Sequence, residues 1–212
     1  MTTQKYEKIR AISATVNGDR IVVAEWEKNV QVWDINNGLV SKFSTDLVCG
    51  MTNAISISED GKQIAVAGYD HKTVSLYNAD NGEIVWQRKD IKKPAKAIIL
   101  NHYQDQIYID TENQGAFFLD KKTGETVEKL RGIEFIRENP YSTIDQFEKS
   151  STSALVTRAD RKTIKSFTHK SFGLLDACFS KDKILCAYST NPLAAVSLSN
   201  AETLWTTNVI GH

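Results

Sequence analysis

Cysteine is scarce in this chain, with three in 212 residues at positions 49, 178 and 186. So few, so scattered, exclude a disulfide scaffold and a paired-cysteine zinc site. Cys178 and Cys186 flank one expected hairpin and read as thiols buried on strands. Proline is as rare, with three at positions 94, 140 and 192, and no Pro-, Gly- or Ser-rich linker divides the chain. The four histidines, His71, His102, His169 and His212, have no partner at metal-ligand spacing and read as turn or surface residues. No run approaches the roughly 20 apolar residues of a membrane span. The opening from Met1 to Arg10 is polar and lacks the apolar stretch of a signal peptide, so the expected address is the cytoplasm.

Neither sign of charge is in excess. Twenty-six basic residues meet 26 acidic ones, so no net field draws the chain to nucleic acid or to a membrane surface. The cluster Lys92, Lys93 and Lys96 reads as a solvated loop. Also missing are a Gly-rich phosphate cradle, a His-Glu-x-x-His pair and a Gly-x-Ser-x-Gly elbow. The expectation is a protein with no cofactor and no metal.

What the chain does have is a beat. Ile21, Ile64, Ile107, Ile144 and Ile184 each open a short apolar segment, and each is followed 17 or 18 residues later by a turn position. Those positions are Gly38, Gly82, Gly124, Lys162 and Ala201, separated by 44, 42, 38 and 39 residues. A period near 40 points to stacked copies of one small unit. Within each unit the apolar residues alternate and turn residues recur every 8 to 12 positions, the mark of antiparallel strands. The second unit is the clearest, with strands expected over Ala54 to Ser58, Ile64 to Ala67, Val74 to Tyr77 and Ile84 to Gln87. The first runs Ile12 to Val16, Ile21 to Ala24, Val30 to Trp33 and Leu39 to Phe43; the third Ile98 to Leu100, Ile107 to Ile109, Phe117 to Leu119 and Thr126 to Leu130. The fourth is worn, yet Ala159, Asp160 and Ile164 fall where Ala79, Asp80 and Ile84 fall. The fifth spans Leu174 to Phe179, Ile184 to Ala187, Ala194 to Leu198 and Thr203 to Thr206.

A four-strand meander cannot bury both faces alone, and radial packing of such sheets gives a β-propeller. The expected fold is all-β, one domain over 1–212 with five blades at about 9–46, 47–90, 91–131, 132–170 and 171–209. Val32-Trp33-Asp34, with Asp60-Gly61 and Asp70, resembles the WD40 repeat. Asp120-Lys121-Lys122-Thr123-Gly124 and Gly82-Glu83-Ile84-Val85-Trp86 resemble the Asp-x-x-Thr-Gly and Gly-x-x-x-Trp signatures of quinoprotein-like propellers, and Trp205 repeats that ending after Ala201. The resemblance covers about residues 9 to 209 and implies fold more than activity. No unit opens with the Gly-His of a regular WD40 blade, and the chain's Gly-His is Gly211-His212. Cofactor-using quinoproteins are much longer secreted enzymes, so the signature is read as turn chemistry: Asp or Asn caps the bend and glycine takes the positive φ. Trp33, Trp86 and Trp205 are assigned to packing between blades.

Two readings of the ring stay open: closure on five blades, or an incomplete ring whose exposed blade faces are covered by a partner, by further sequence or by a second copy. The surface that propellers commonly use for recognition lies on the loops between second and third strands. These carry Trp26, Glu27 and Lys28; Tyr69, Asp70 and His71; Thr111, Glu112 and Asn113; Phe147, Glu148 and Lys149; and Ser189 to Asn191. Aromatic residues flanked by charge fit a protein-binding rim. Trp26 and Tyr69 would equally serve to cover the top of the core, and Asp70 to hold its turn. The expected function is a non-catalytic interaction module binding a protein or peptide. The alternative is a small hydrolase or lyase working in an axial cavity, for which the innermost strands offer Glu134 and Asp176.

Overall fold

The computed structural model describes residues 9–25, 29–45, 55–68, 72–100, 105–111, 115–130, 135–138, 145–149, 153–157, 163–167, 174–188 and 192–208. Among these residues every regular element is a β-strand, and the strands form five four-stranded antiparallel sheets. Sheet 1 is β1 (Ile9–Ala14), β2 (Arg20–Glu25), β3 (Asn29–Asp34) and β4 (Gly38–Ser44). Sheet 2 is β5 (Ile55–Ile57), β6 (Gln63–Gly68), β7 (Thr73–Asn78) and β8 (Ile84–Arg88). Sheet 3 is β9 (Ala95–Leu100), β10 (Gln106–Thr111), β11 (Gly115–Asp120) and β12 (Thr126–Leu130). Sheet 4 is β13 (Phe135–Glu138), β14 (Asp145–Lys149), β15 (Ser153–Thr157) and β16 (Thr163–Phe167). Sheet 5 is β17 (Leu174–Ser180), β18 (Lys183–Tyr188), β19 (Pro192–Ser197) and β20 (Thr203–Asn208). Each sheet is a meander in chain order. The first strand shows the largest displacement, expected from Ile12 to Val16 and observed at Ile9–Ala14.

The third and fourth strands are joined by the same turn in sheet after sheet, and its chemistry is local. The side chain ending the third strand accepts backbone N–H groups: Asp34 from Asn36 and Asn37 at 2.9 Å each, Asn78 from Asp80 at 2.8 Å, and Asp120 from Lys122 and Thr123 at 2.9 and 2.8 Å. In sheet 5 the Ser197 hydroxyl accepts from Ser199 at 3.2 Å. Four residues on, the backbone enters the left-handed region at Gly38, Gly82, Gly124 and Ala201, with φ of 86, 74, 74 and 60°. Three are glycine because a Cβ is disfavoured there, and alanine adopts the same bend in sheet 5. Lys162, the matching position of sheet 4, lies outside the described residues. The cap also tunes charge: the amides of Asn37 and then Asn36 hold the Asp34 carboxyl below the ordinary aspartate range, and the amide of Thr123 does the same for Asp120. Just beyond each turn the ladder shifts register, at Val32/Trp33, Leu76/Tyr77, Phe118/Leu119, Leu155/Val156 and Ala195/Val196. Such a bulge twists the fourth strand away from its neighbour.

The chain forms two compact units, residues 1–131 and 132–212. In the first, sheets 1, 2 and 3 stack through recurring contacts. The Ser13 hydroxyl accepts the Ile57 amide at 3.3 Å, and one sheet further Ser56 accepts the Leu100 amide at 3.0 Å. The Ser41 hydroxyl donates to the Ala79 carbonyl, and the Trp86 indole N–H donates to the Lys121 carbonyl at 2.8 Å. Phe43 lies against Tyr77 with ring centroids 5.3 Å apart, and Arg20 reaches Asp80 and the Gly61 carbonyl, both at 2.8 Å. Ile57, Ile64, Leu76, Ile107 and Leu119 are buried in the resulting core. Each such side chain contributes about 1.5–3 kcal/mol on burial.

The second unit has its own cluster around Ala177, Ile184, Cys186 and Val196, with Phe179 and Leu198 packed against it. Here one expectation is corrected. Cys186 is buried but Cys178 is exposed. Ala177 pairs with Cys186 while Cys178 pairs with Leu185, so strand alternation sends the two thiols to opposite faces. Cys49 lies outside the described residues.

Candidate functional site

The loop-face residues Trp26, Glu27, Tyr69, Asp70, His71, Glu112 and Asn113 lie outside the described residues, as do Ser189 to Asn191. The strand ends that bracket the first three segments are described: Glu25 and Asn29, Gly68 and Thr73, Thr111 and Gly115. Because the same seryl bond joins sheet 1 to sheet 2 and sheet 2 to sheet 3, these ends share one side of the first unit. Glu25 is buried there, accepting the Gln31 amide with the Lys42 ammonium 3.9 Å away. Phe147 is a correction: it sits inside β14, paired with Arg137 and Leu155, rather than on a loop. Its neighbours Asp145, Gln146, Glu148 and Lys149 are polar, yet Gln146 is buried, so a paired strand carries a loop-like composition. Glu134 and all four histidines lie outside the described residues. Asp176 is on β17, paired with Ala187. No group of three or more His, Cys, Asp or Glu among the described residues could hold a metal ion, and no helix among them is long and apolar enough to cross a membrane.

The first unit contains a cavity of about 490 Å³ whose lining includes Arg88, Asp90, Lys92, Lys93, Thr126 and Lys129. Arg88 donates to Asp90, to the Gly124 carbonyl at 3.0 Å and to Thr126 at 2.8 Å, so its charge ties sheet 2 to sheet 3. The hydrogen bond to Arg88 holds the Asp90 carboxyl below its ordinary range. Asp90 is the one carboxylate among the described lining residues, and Arg88 with Lys92, Lys93 and Lys129 makes that lining basic.

A different feature emerges from register. In sheets 2 and 3, one face of the first three strands packs on the preceding sheet. Ile55 and Ile98 are 3% exposed on that face, and Tyr77 is 2% exposed. The pairings Ile12↔Val23, Ile55↔Val66 and Ile98↔Ile109 make Ile12 their counterpart in sheet 1, and Ile21↔Trp33 matches Ile64↔Tyr77. Yet Ile12 is 62% exposed and Trp33 40%. Ile21 and Val23 on the same face are half-buried, and Ile35, counterpart of the buried Ala79, is exposed. Trp33 turns its indole N–H to Gln31 on its own strand at 3.0 Å. Of the three tryptophans expected between blades, Trp86 lies between sheets 2 and 3, whereas Trp33 and Trp205 are exposed in their sheets. The alternation of Ile12, Ile21, Val23 and Trp33 was readable as an apolar face, but whether a sheet precedes it was not. The result is an open apolar face with an aromatic residue, built on the register that elsewhere joins sheet to sheet.

No family model matches this chain, and no curated protein matches it in sequence. Its class is therefore defined by its own fold: an all-β protein of antiparallel four-stranded sheets.

Proposed function

We propose that the five sheets are blades of a WD40-like or quinoprotein-like β-propeller, and that the chain is a non-catalytic, cytoplasmic interaction module. It binds a protein or peptide at a blade edge, the open face of sheet 1, with the loop residues Trp26, Tyr69 and their neighbours as a second rim. The observation that carries this reading is the contrast between Ile12 and Trp33 and their buried counterparts Ile55, Ile98 and Tyr77. Side chains that stabilise a sheet-to-sheet junction by burial keep that capacity where no sheet covers them. A rigid aromatic among aliphatic residues is the composition of an interface centre.

The test uses the apolar probe anilinonaphthalene sulfonate on the folded chain. Diluted until it is a single copy, the native protein binds the probe, and Ile12→Lys and Trp33→Glu each lower that binding by about half or more with far-ultraviolet circular dichroism unchanged. Probe binding that neither substitution alters removes the face as the docking surface.

A further inference from the structure

Both junctions in the first unit follow one rule. The fourth-strand residue opposite the last third-strand position before the bulge donates a hydrogen bond to the carbonyl of the first turn residue in the next sheet. Ser41, opposite Val32, donates to Ala79; Trp86, opposite Leu76, donates to Lys121 at 2.8 Å. The acceptors are equivalent, since the Ala79 amide bonds the Lys62 carbonyl and the Lys121 amide the Asp105 carbonyl, both at 2.8 Å. Each donor strand also covers the positive-φ glycine of the receiving turn. A Cβ on Gly82 would strike Phe43, and one on Gly124 would lie 2.9 Å from the Trp86 ring.

Among the described residues the chain carries one further donor of this kind, on sheet 5, and two further acceptors, Ile35 on sheet 1 and Leu198 on sheet 5 itself, whose amide bonds the Asp182 carbonyl at 2.9 Å. Trp205 lies opposite Ala195 just before the bulge in sheet 5, the register of Trp86, and is 46% exposed. Cys178 and Leu193, on the same face by pairing, are exposed as well. In sheet 1, Ile35 is the first turn residue, its amide bonded to the Asp19 carbonyl at 2.8 Å. Nothing lies within 4 Å of a Cβ built on Gly38, in contrast to Gly82 and Gly124.

We infer that the occupant of the open sheet 1 face is a second copy of this chain, docked head to tail by sheet 5. The Trp205 indole covers the Gly38 turn and its N–H donates to the Ile35 carbonyl of the neighbour, while Leu193 and its face meet Ile12 and Trp33. The two surfaces differ, so the contact is heterologous: each copy uses its sheet 5 on one side and its sheet 1 on the other. This deepens the docking reading above and rests on it.

The experiment is light scattering across a range of concentrations on the full chain, Trp205→Glu, Trp33→Glu, and an equal mixture of the two variants. Ile35→Glu serves as a second acceptor-side variant, and urea unfolding checks that each remains folded. The native chain has about twice the mass of one copy or more, each variant alone is a single copy, and the mixture regains the doubled mass. Regain follows because the mixture restores one intact junction, from the Trp205 of one variant to the Trp33 of the other; a self-complementary contact is not restored by mixing. A native chain that is a single copy at every concentration overturns the second copy. If it still binds the apolar probe in an Ile12-dependent way, the docking face stands without this partner; if it does not, both readings fall. A doubled mass unchanged by Trp205→Glu and Ile35→Glu also overturns the inference.

Discussion

The indole N–H of Trp86 donates to the backbone carbonyl of Lys121 at 2.8 Å, across the junction between two sheets. The same ring lies where a Cβ on Gly124 would approach to 2.9 Å, so an aromatic side chain and a glycine turn form one joint. Trp86→Ala should destabilise the first unit by about 2–3 kcal/mol, below the value for a fully buried tryptophan because the ring is only partly covered. Trp86→Phe keeps most of the packing and loses the hydrogen bond, about 1 kcal/mol. Urea unfolding of both variants separates the two contributions.

Glycine-to-alanine changes at the turns should rank by what the added methyl meets. Gly38→Ala meets nothing within 4 Å and pays only the backbone strain of a positive φ, about 1 kcal/mol. Gly124→Ala adds a collision with Trp86 and should cost clearly more. Ala201→Gly runs the other way: alanine sits at φ 60° there, and glycine should stabilise the second unit by up to about 1 kcal/mol. Urea midpoints for the three variants check the order.

Acid should weaken the turns. Backbone amides hold the carboxyls of Asp34 and Asp120 below the ordinary aspartate range in the folded chain. A depressed folded value means that the stabilisation is fully present above the unfolded value, about 3.9, and is lost as pH falls through the folded one. The urea midpoint of the Asp34→Asn, Asp120→Asn double variant should therefore fall less between about pH 5 and pH 3 than that of the native chain, because the amide cannot titrate.

Trp26→Ala and Tyr69→Ala should leave the thermal midpoint nearly unchanged, as expected of rim residues that meet a partner. A drop of many degrees in both variants would assign them to the top of the core.

Much of the architecture was legible because turn chemistry is local. Asp34, Asn78 and Asp120 announce their bends through short polar side chains, and Gly38, Gly82 and Gly124 through spacing. Ala201 has no glycine signature, and only its distance from Ile184 marked it; the structure gives it the same left-handed backbone. Ile144 marks a strand opening in the sequence, but the strand runs on through Phe147 to Lys149, where the charges of Glu148 and Lys149 look like a loop; the ladder partners that extend it are not shown by a local pattern. Which of the two readings of the ring applies at sheet 1 was not legible for a related reason. Ile12 and Ile55 are the same residue type at the same register, and what separates them is burial against another sheet of the first unit, which Ile55 has and Ile12 does not.

That pair also provides the sharpest measurement. Ile12→Lys and Ile55→Lys place the same ammonium at equivalent positions, one on the open face and one inside the stack of sheets 1 and 2. Urea unfolding monitored by circular dichroism, at a dilution where both chains are single copies, should show Ile12→Lys within about 0.5 kcal/mol of the native chain, and Ile55→Lys destabilised by more than about 4 kcal/mol through burial of an unpaired charge. If Ile12→Lys is as damaging as Ile55→Lys when the chain is a single copy, the face of sheet 1 is covered within the chain and is not a docking surface.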